Sequence, residues 1–202
     1  RKDWISLMLI TTIILIGTII WVYILSVLKR AKLSAFYFIT GSVGLFLILM
    51  ALSRPYGIWL FSTIVTRDIG LFGSLSGMFT AFYRENLIEI QNTHDTILMF
   101  VDYECSGIIE TTAFWSLIAF YPVYSRKERT IIGVAGALWI YAANILRLFV
   151  VVTIVFFNGN KIFFLAHSVL GRLFFYILVI ALYYNVFTRA HIIKNFTGKL
   201  IY

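Results

Sequence analysis

Residues 5–28 contain no charged side chain across 24 positions, and this run decides most of what the chain can become. In a bilayer each backbone N–H and C=O needs a partner within its own segment, so such a run must be a helix. About 20 helical residues span a hydrocarbon core of about 30 Å. By length the same reading applies to Leu33–Ser53 and, with one charge each inside them, to Cys105–Ser125, Thr130–Asn160 and Ile162–Thr188. With 61% hydrophobic residues, 13% charged and a mean hydropathy of +0.92, lipid is the expected solvent. Residues 5–28 exceed the apolar region of a cleaved signal peptide and no A-x-A site follows, so a retained anchor is expected.

The formal charge of +8 does not point to nucleic acid. The basic residues lie in clusters between apolar runs, at Lys29–Lys32, at Arg126–Arg129 and in a tail with Arg189, Lys194 and Lys199, as the positive-inside rule requires. Between them, residues 84–104 carry Glu85, Glu89, Asp95, Asp102 and Glu104, an acidic stretch expected outside. Residues 56–66 and 69–83 are apolar but interrupted by Arg67-Asp68. A buried charge pair at a helix midpoint is costly, so two short interfacial or re-entrant helices are predicted there. Leu87–Gln91 and Thr96–Tyr103 are rich in Ile, Leu, Phe and Val and flank Asn92-Thr93-His94-Asp95, which predicts a β-hairpin. The expected fold is an all-α polytopic membrane protein in one domain, residues 1–202. It has five to six transmembrane helices and a small extracytoplasmic hairpin in an outer region at about 54–104. If residues 56–83 do not cross, five spans place the N-terminus outside and every basic cluster inside.

The one cysteine, Cys105, excludes an internal disulfide. No CxxC, HExxH or GxxxxGK[ST] pattern is present, so neither a metal nor a cofactor is expected. Gly73-Ser74-Leu75-Ser76-Gly77 fails as a nucleophile elbow because Leu75 stands where serine is needed.

The polar residues inside the spans carry the functional argument. Arg147 lies about 26 Å along its helix from Thr130, and His167 about 8 Å below the outer boundary, at 1.5 Å of rise per residue. Cys105 lies at that boundary. The three meet in one shallow outward layer, with Asn144 on the face of Arg147 and Gly171 four residues past His167, where a small residue admits a neighbouring helix. A thiol at the first turn of a helix gains thiolate character from the helix dipole and a nearby cation. The combination predicts nucleophilic catalysis: Cys105 attacks, His167 is the base and Arg147 holds the developing oxyanion. Glu104 opposes this by raising the thiol pKa. Taken singly, each residue has a plainer role. A lone buried cysteine is usually an inert small hydrophobe, Arg147 could snorkel or pair, and His167 could simply bond within the bundle. Arg172 is expected to pair with Glu110, His94 is the rival base, and His191 falls on the wrong side. Glu89, Asp95 and Asp102 read as a solvated face.

Cys105-Ser106-Gly107-Ile108, Asn144-Ile145-Leu146-Arg147 and His167-Ser168-Val169-Leu170-Gly171 resemble, in order and spacing, three signatures of the exosortase and archaeosortase family. Each is short; together they cover about residues 85–180 of a compact chain that is similar to the small Gram-positive type. The resemblance implies a cysteine protease or transpeptidase of the prokaryotic plasma membrane. It would act outside on C-terminal sorting signals of secreted proteins, each a short motif, a transmembrane helix and a basic tail, through a thioacyl intermediate. By motif position Cys105, Arg147 and His167 are the implied catalytic residues, with Asn144 supporting them. The predicted hairpin could add its edge to an extended substrate beside Cys105; processing that survives a scrambled 87–103 segment would exclude this. The rival function is a non-catalytic transporter subunit or assembly factor in which Arg147, Arg172 and Glu110 form an intramembrane ion network.

Overall fold

The structure, a computed structural model, describes residues 2–54, 56–91, 96–190 and 192. The chain forms α1 (Lys2–Arg30), α2 (Ser34–Leu52), α3 (Tyr56–Ser76), strands β1 (Phe79–Phe82), β2 (Leu87–Gln91) and β3 (Thr96–Phe100), then α4 (Ile108–Phe120) and α5 (Arg126–Asn158). A 3-10 turn (Asn160–Ile162) and a π-helical turn (Leu165–Leu170) lead into α6 (Gly171–Tyr183), which continues as a second π-helical turn (Tyr184–Arg189). Among the described residues five helices are long and apolar enough to cross a membrane: α1, α2, α3, α5 and the helix Leu165–Arg189.

Local chemistry sets the breaks. The first helical pair turns at the basic cluster, where Lys32 takes a left-handed conformation (φ 56°). Tyr121-Pro122 ends α4, since proline cannot continue the ladder. Ser125 and Glu128 then form a reciprocal capping box that starts α5. Arg129 donates to the Ala119 and Tyr124 carbonyls, satisfying the end of α4. At 33 residues α5 is about 50 Å long, and Gly159 (φ 73°) releases the chain from it.

Three expectations are corrected. Residues 56–76 form one continuous helix, not two short ones. The cost of Arg67-Asp68 is avoided by orientation: Arg67 is exposed and Asp68 accepts a hydrogen bond from the Tyr141 hydroxyl. The apolar segment after Cys105 is a helix of 13 residues, about 20 Å, and by length alone falls short of a full span. The hairpin is a three-stranded antiparallel sheet of order β1-β2-β3, joined by the unforeseen strand β1. Phe79–Phe82 carries no strand signal of its own, because it follows a stretch whose glycines and serines read as helix interruptions. The expected turn at 92–95, with His94, lies outside the described residues, as do His191 and the tail from 193.

Contacts give the bundle two distinct ends. At one, Gly41 faces the Phe120 ring, Phe38 and Tyr121 pack edge to face (6.0 Å), and the Tyr121 hydroxyl donates to the Phe187 carbonyl (2.8 Å). Lys29–Lys32, Arg126–Arg129 and Arg189 therefore share this end. At the other, Thr112 meets Met50, and a Cβ on Gly57 would touch Ile108 at 3.8 Å. The C-terminal half of α3 packs on β1, with Gly70 against Ala81 and Gly73 against Phe79. Ile88, Ile90, Ile97 and Met99 of the sheet share a core with Val65 and Ile69 of α3, Leu148, Val151, Val152 and Val155 of α5, and Cys105. A second core joins Phe114, Ile140, Ala143 and Phe175 closer to the basic end. The last strand, β3, is an edge of this sheet and leads straight into the turn that carries Cys105.

Candidate active site

Cys105 is not in the first turn of a helix: α4 begins at Ile108, and the thiol sits in the preceding turn. That turn is held by its own polar groups. Asp102 Oδ1 accepts the backbone N–H groups of Glu104 and Cys105 (both 3.1 Å). The Asp102 carbonyl takes the Ser62 hydroxyl (3.5 Å). Ser106 donates to the Tyr103 carbonyl (2.9 Å) and accepts from the Ile108 N–H (3.4 Å). Gly107 then enters α4 with φ 77°, a left-handed conformation that costs other residues about 1–2 kcal/mol. Asp102 thus does more than solvate a surface. The pattern Asp-x-x-Cys, an acid three residues before the cysteine, was the available signal for such a turn.

Two side chains of α5 clamp the Cys105 carbonyl. Asn144 Nδ2 donates to it at 2.7 Å and Arg147 Nη2 at 3.3 Å. Both residues are buried, at 1% and 5% exposure, and the guanidinium lies over the Phe175 ring, 5.4 Å from its centroid. From the far side, His167 brings Nε2 to 3.5 Å from the Cys105 sulfur. Its ring stacks on Phe163, four residues earlier, at 5.7 Å and 3° between planes. For Nε2 to accept the thiol proton, Nδ1 must carry the hydrogen, and buried Nδ1 has no partner among the described residues. Stacking therefore orients this imidazole where other sites use a third hydrogen-bonding residue. The π-helical turn Leu165–Leu170 carries His167 out of the regular α register.

Gly171 sets the depth of that helix. A Cβ there would come within 2.5 Å of Val151 Cγ2 and 3.6 Å of Arg147 Cγ. Val151 is a short, buried side chain with no room to yield. Gly171→Ala is expected to push α6 away from α5, lower stability by about 1–3 kcal/mol and loosen the sulfur–imidazole contact. Thermal unfolding of the detergent-purified protein, read beside thiol reactivity, checks this.

Arg172 does not pair with Glu110. It binds Glu104 Oε2 at 3.0 Å, with both side chains 46% exposed, so the pair lies on the surface and contributes about 0–1 kcal/mol. Four buried polar atoms remain without partners among the described residues: Glu110 Oε2, Asn144 Oδ1, Arg147 Nε and His167 Nδ1. All four belong to residues at or beside the Cys105 turn. Buried unsatisfied groups are costly and rare in an apolar core, so their clustering singles out this turn as the most polar part of the interior.

The electrostatics differ from the thiolate expected of a helix N-terminus. Burial pushes the Cys105 thiol up to about 11; the Arg147 charge opposes this, and Asp102 adds to it. Cys105 therefore rests as a neutral thiol with the His167 imidazole in reach. For a group raised above its ordinary value of 9.0, the thiolate fraction keeps growing until pH passes the folded value. Alkylation of Cys105 by iodoacetamide should rise about tenfold per pH unit through pH 10. A plateau near pH 9 would show an unshifted thiol.

No group of three or more histidine, cysteine, aspartate or glutamate side chains able to hold a metal ion occurs among the described residues. Comparison with protein-family models, with curated proteins and with solved structures finds no match.

Proposed function

We propose that the chain is a membrane-embedded cysteine protease or transpeptidase of the exosortase and archaeosortase type, acting on C-terminal sorting signals of secreted proteins at the extracytoplasmic side. The observation that carries this reading is the contact of Cys105 Sγ with His167 Nε2 at 3.5 Å, with the Arg147 guanidinium on the same turn. Three segments far apart in sequence supply these groups.

In the first half-reaction His167 Nε2 takes the thiol proton as the sulfur attacks the scissile carbonyl, and the C–S bond forms. Negative charge moves to the carbonyl oxygen. Arg147 has a buried donor, Nε, unspent among the described residues, to receive it. Collapse breaks the C–N bond, and the imidazolium returns its proton to the leaving amine. An acceptor then attacks the thioester and frees Cys105. Asn144, through the Cys105 carbonyl, keeps the nucleophile in register with the base.

The ends of the bundle support the sidedness. The Lys29–Lys32, Arg126–Arg129 and Arg189 clusters gather at the end away from Cys105, and such clusters prefer the cytoplasm. A maleimide that cannot cross membranes is expected to label Cys105 in intact cells, and labelling only after lysis would reverse the orientation. The ion-network alternative draws less support, because Arg172 binds Glu104 and Glu110 Oε2 has no partner among the described residues.

A further inference from the structure

Polar groups converge a second time beside the nucleophile turn. A pocket of about 260 Å³ lies where the first turn of α4 meets α5 and α6, with Glu104, Glu110, Arg147, Arg172, Phe175 and Tyr176 among its walls. Its charges are not equivalent. Arg172 is neutralised by Glu104 at the exposed rim. Arg147 spends one donor on the Cys105 carbonyl and lies over Phe175. Of the two acids in the pocket, Glu110 is the one whose buried carboxylate oxygen has no partner among the described residues, where Arg147 also keeps an unspent Nε. A carboxylate oxygen only accepts hydrogen bonds, so its natural complement is a group rich in N–H or O–H. A compact ammonium meets that need, and its aliphatic stem fits against the two aromatic side chains.

We propose that this pocket is the acyl-acceptor subsite, in which Glu110 binds and deprotonates a primary ammonium that resolves the Cys105 thioester. The inference rests on the peptidase reading and extends it to the second half-reaction. The entering ammonium gives one proton to the Glu110 carboxylate, and the free amine attacks the thioester carbonyl. The C–N bond forms, and the nitrogen loses a second proton to neutral His167. The C–S bond then breaks, and the Cys105 thiolate takes that proton from the imidazolium. The products are an amide, the free thiol and a protonated Glu110, which releases its proton to solvent. Arg147 belongs to both halves of the cycle, since it lines this pocket and touches the Cys105 carbonyl.

The test needs no native substrate. Full-length protein in nanodiscs is acylated with p-nitrophenyl acetate, acetyl-Cys105 is followed by intact mass, and ethylamine is added. The ratio of N-ethylacetamide to acetate reads the partition between amine and water. The wild-type chain is expected to give saturable amide formation. Glu110→Gln should lower the amide-to-acetate ratio at least about tenfold, as loss of a general base does, and Glu110→Asp should retain part of it. Acetyl-Cys105 yield in the same preparations reports an intact fold, and if Glu110→Gln fails that control the Glu110→Asp ratio decides. An unchanged ratio, or acetate as the sole wild-type product, overturns the acceptor subsite alone. A wild-type protein that forms no acetyl-Cys105 overturns the peptidase reading and this subsite with it.

Discussion

Cys105→Ala in the full-length chain is expected to reduce processing of a co-expressed secreted protein ending in a helix and basic tail by at least about 10⁴-fold, the scale on which a covalent nucleophile fails. The fold should survive. The side chain is buried, but what holds the turn is its backbone: the N–H on Asp102 and the carbonyl on Asn144 and Arg147. None of these bonds involves the sulfur. Removing one sulfur from the core costs about 1–2 kcal/mol, well within what a membrane bundle tolerates. Cys105→Ser keeps the size and a hydrogen-bonding group yet should be nearly as inactive, because an alkoxide forms far less readily than a thiolate beside one unassisted imidazole. Immunoblots of processed and unprocessed substrate, with thermal unfolding of each variant, separate chemistry from folding. Persistent processing in both variants would remove the nucleophile from the scheme.

The helical membrane fold was legible because lipid permits so little else. Uncharged runs of 19 or more residues can only be helices, and α1 and α2 follow from them directly, while α5 and the last helix follow from apolar runs interrupted by one arginine each, Arg147 and Arg172. The middle of the chain was harder, for a definite reason. Reading Arg67-Asp68 as a helix break assumed that both charges would face the interior. The helix turns Arg67 to the surface and gives Asp68 a tyrosine instead, a pairing 73 residues distant that no local pattern announces. In the site, Cys105, Arg147 and His167 could be placed in one layer by counting rise per residue. Counting could not show that the Cys105 carbonyl, a backbone atom, is what Asn144 and Arg147 hold. Nor could it reveal Glu110, which looked like the partner of Arg172 until Glu104 proved the nearer acid. Phe163 had a signal: an aromatic four residues before a histidine shares its helix face.

The contrast between the two arginines gives the sharpest remaining measurement. Arg147→Lys is expected to lower kcat/KM by about 10²–10³-fold, or 2.7–4 kcal/mol of transition-state stabilisation, the usual cost of losing a placed oxyanion donor. The guanidinium is planar: one nitrogen is fixed on the Cys105 carbonyl, another buried donor is unspent, and the face lies on Phe175. A lysine ammonium is a point charge and cannot meet all three demands, so retaining the charge does not rescue the geometry. Arg172→Lys changes an exposed pair worth at most about 1 kcal/mol, and its effect should stay within about fivefold. Position in the bundle, and not charge, therefore separates two residues that composition treats alike. Equal losses from the two substitutions would mean that both act through the general field of the site, and the oxyanion role of Arg147 would have to be abandoned.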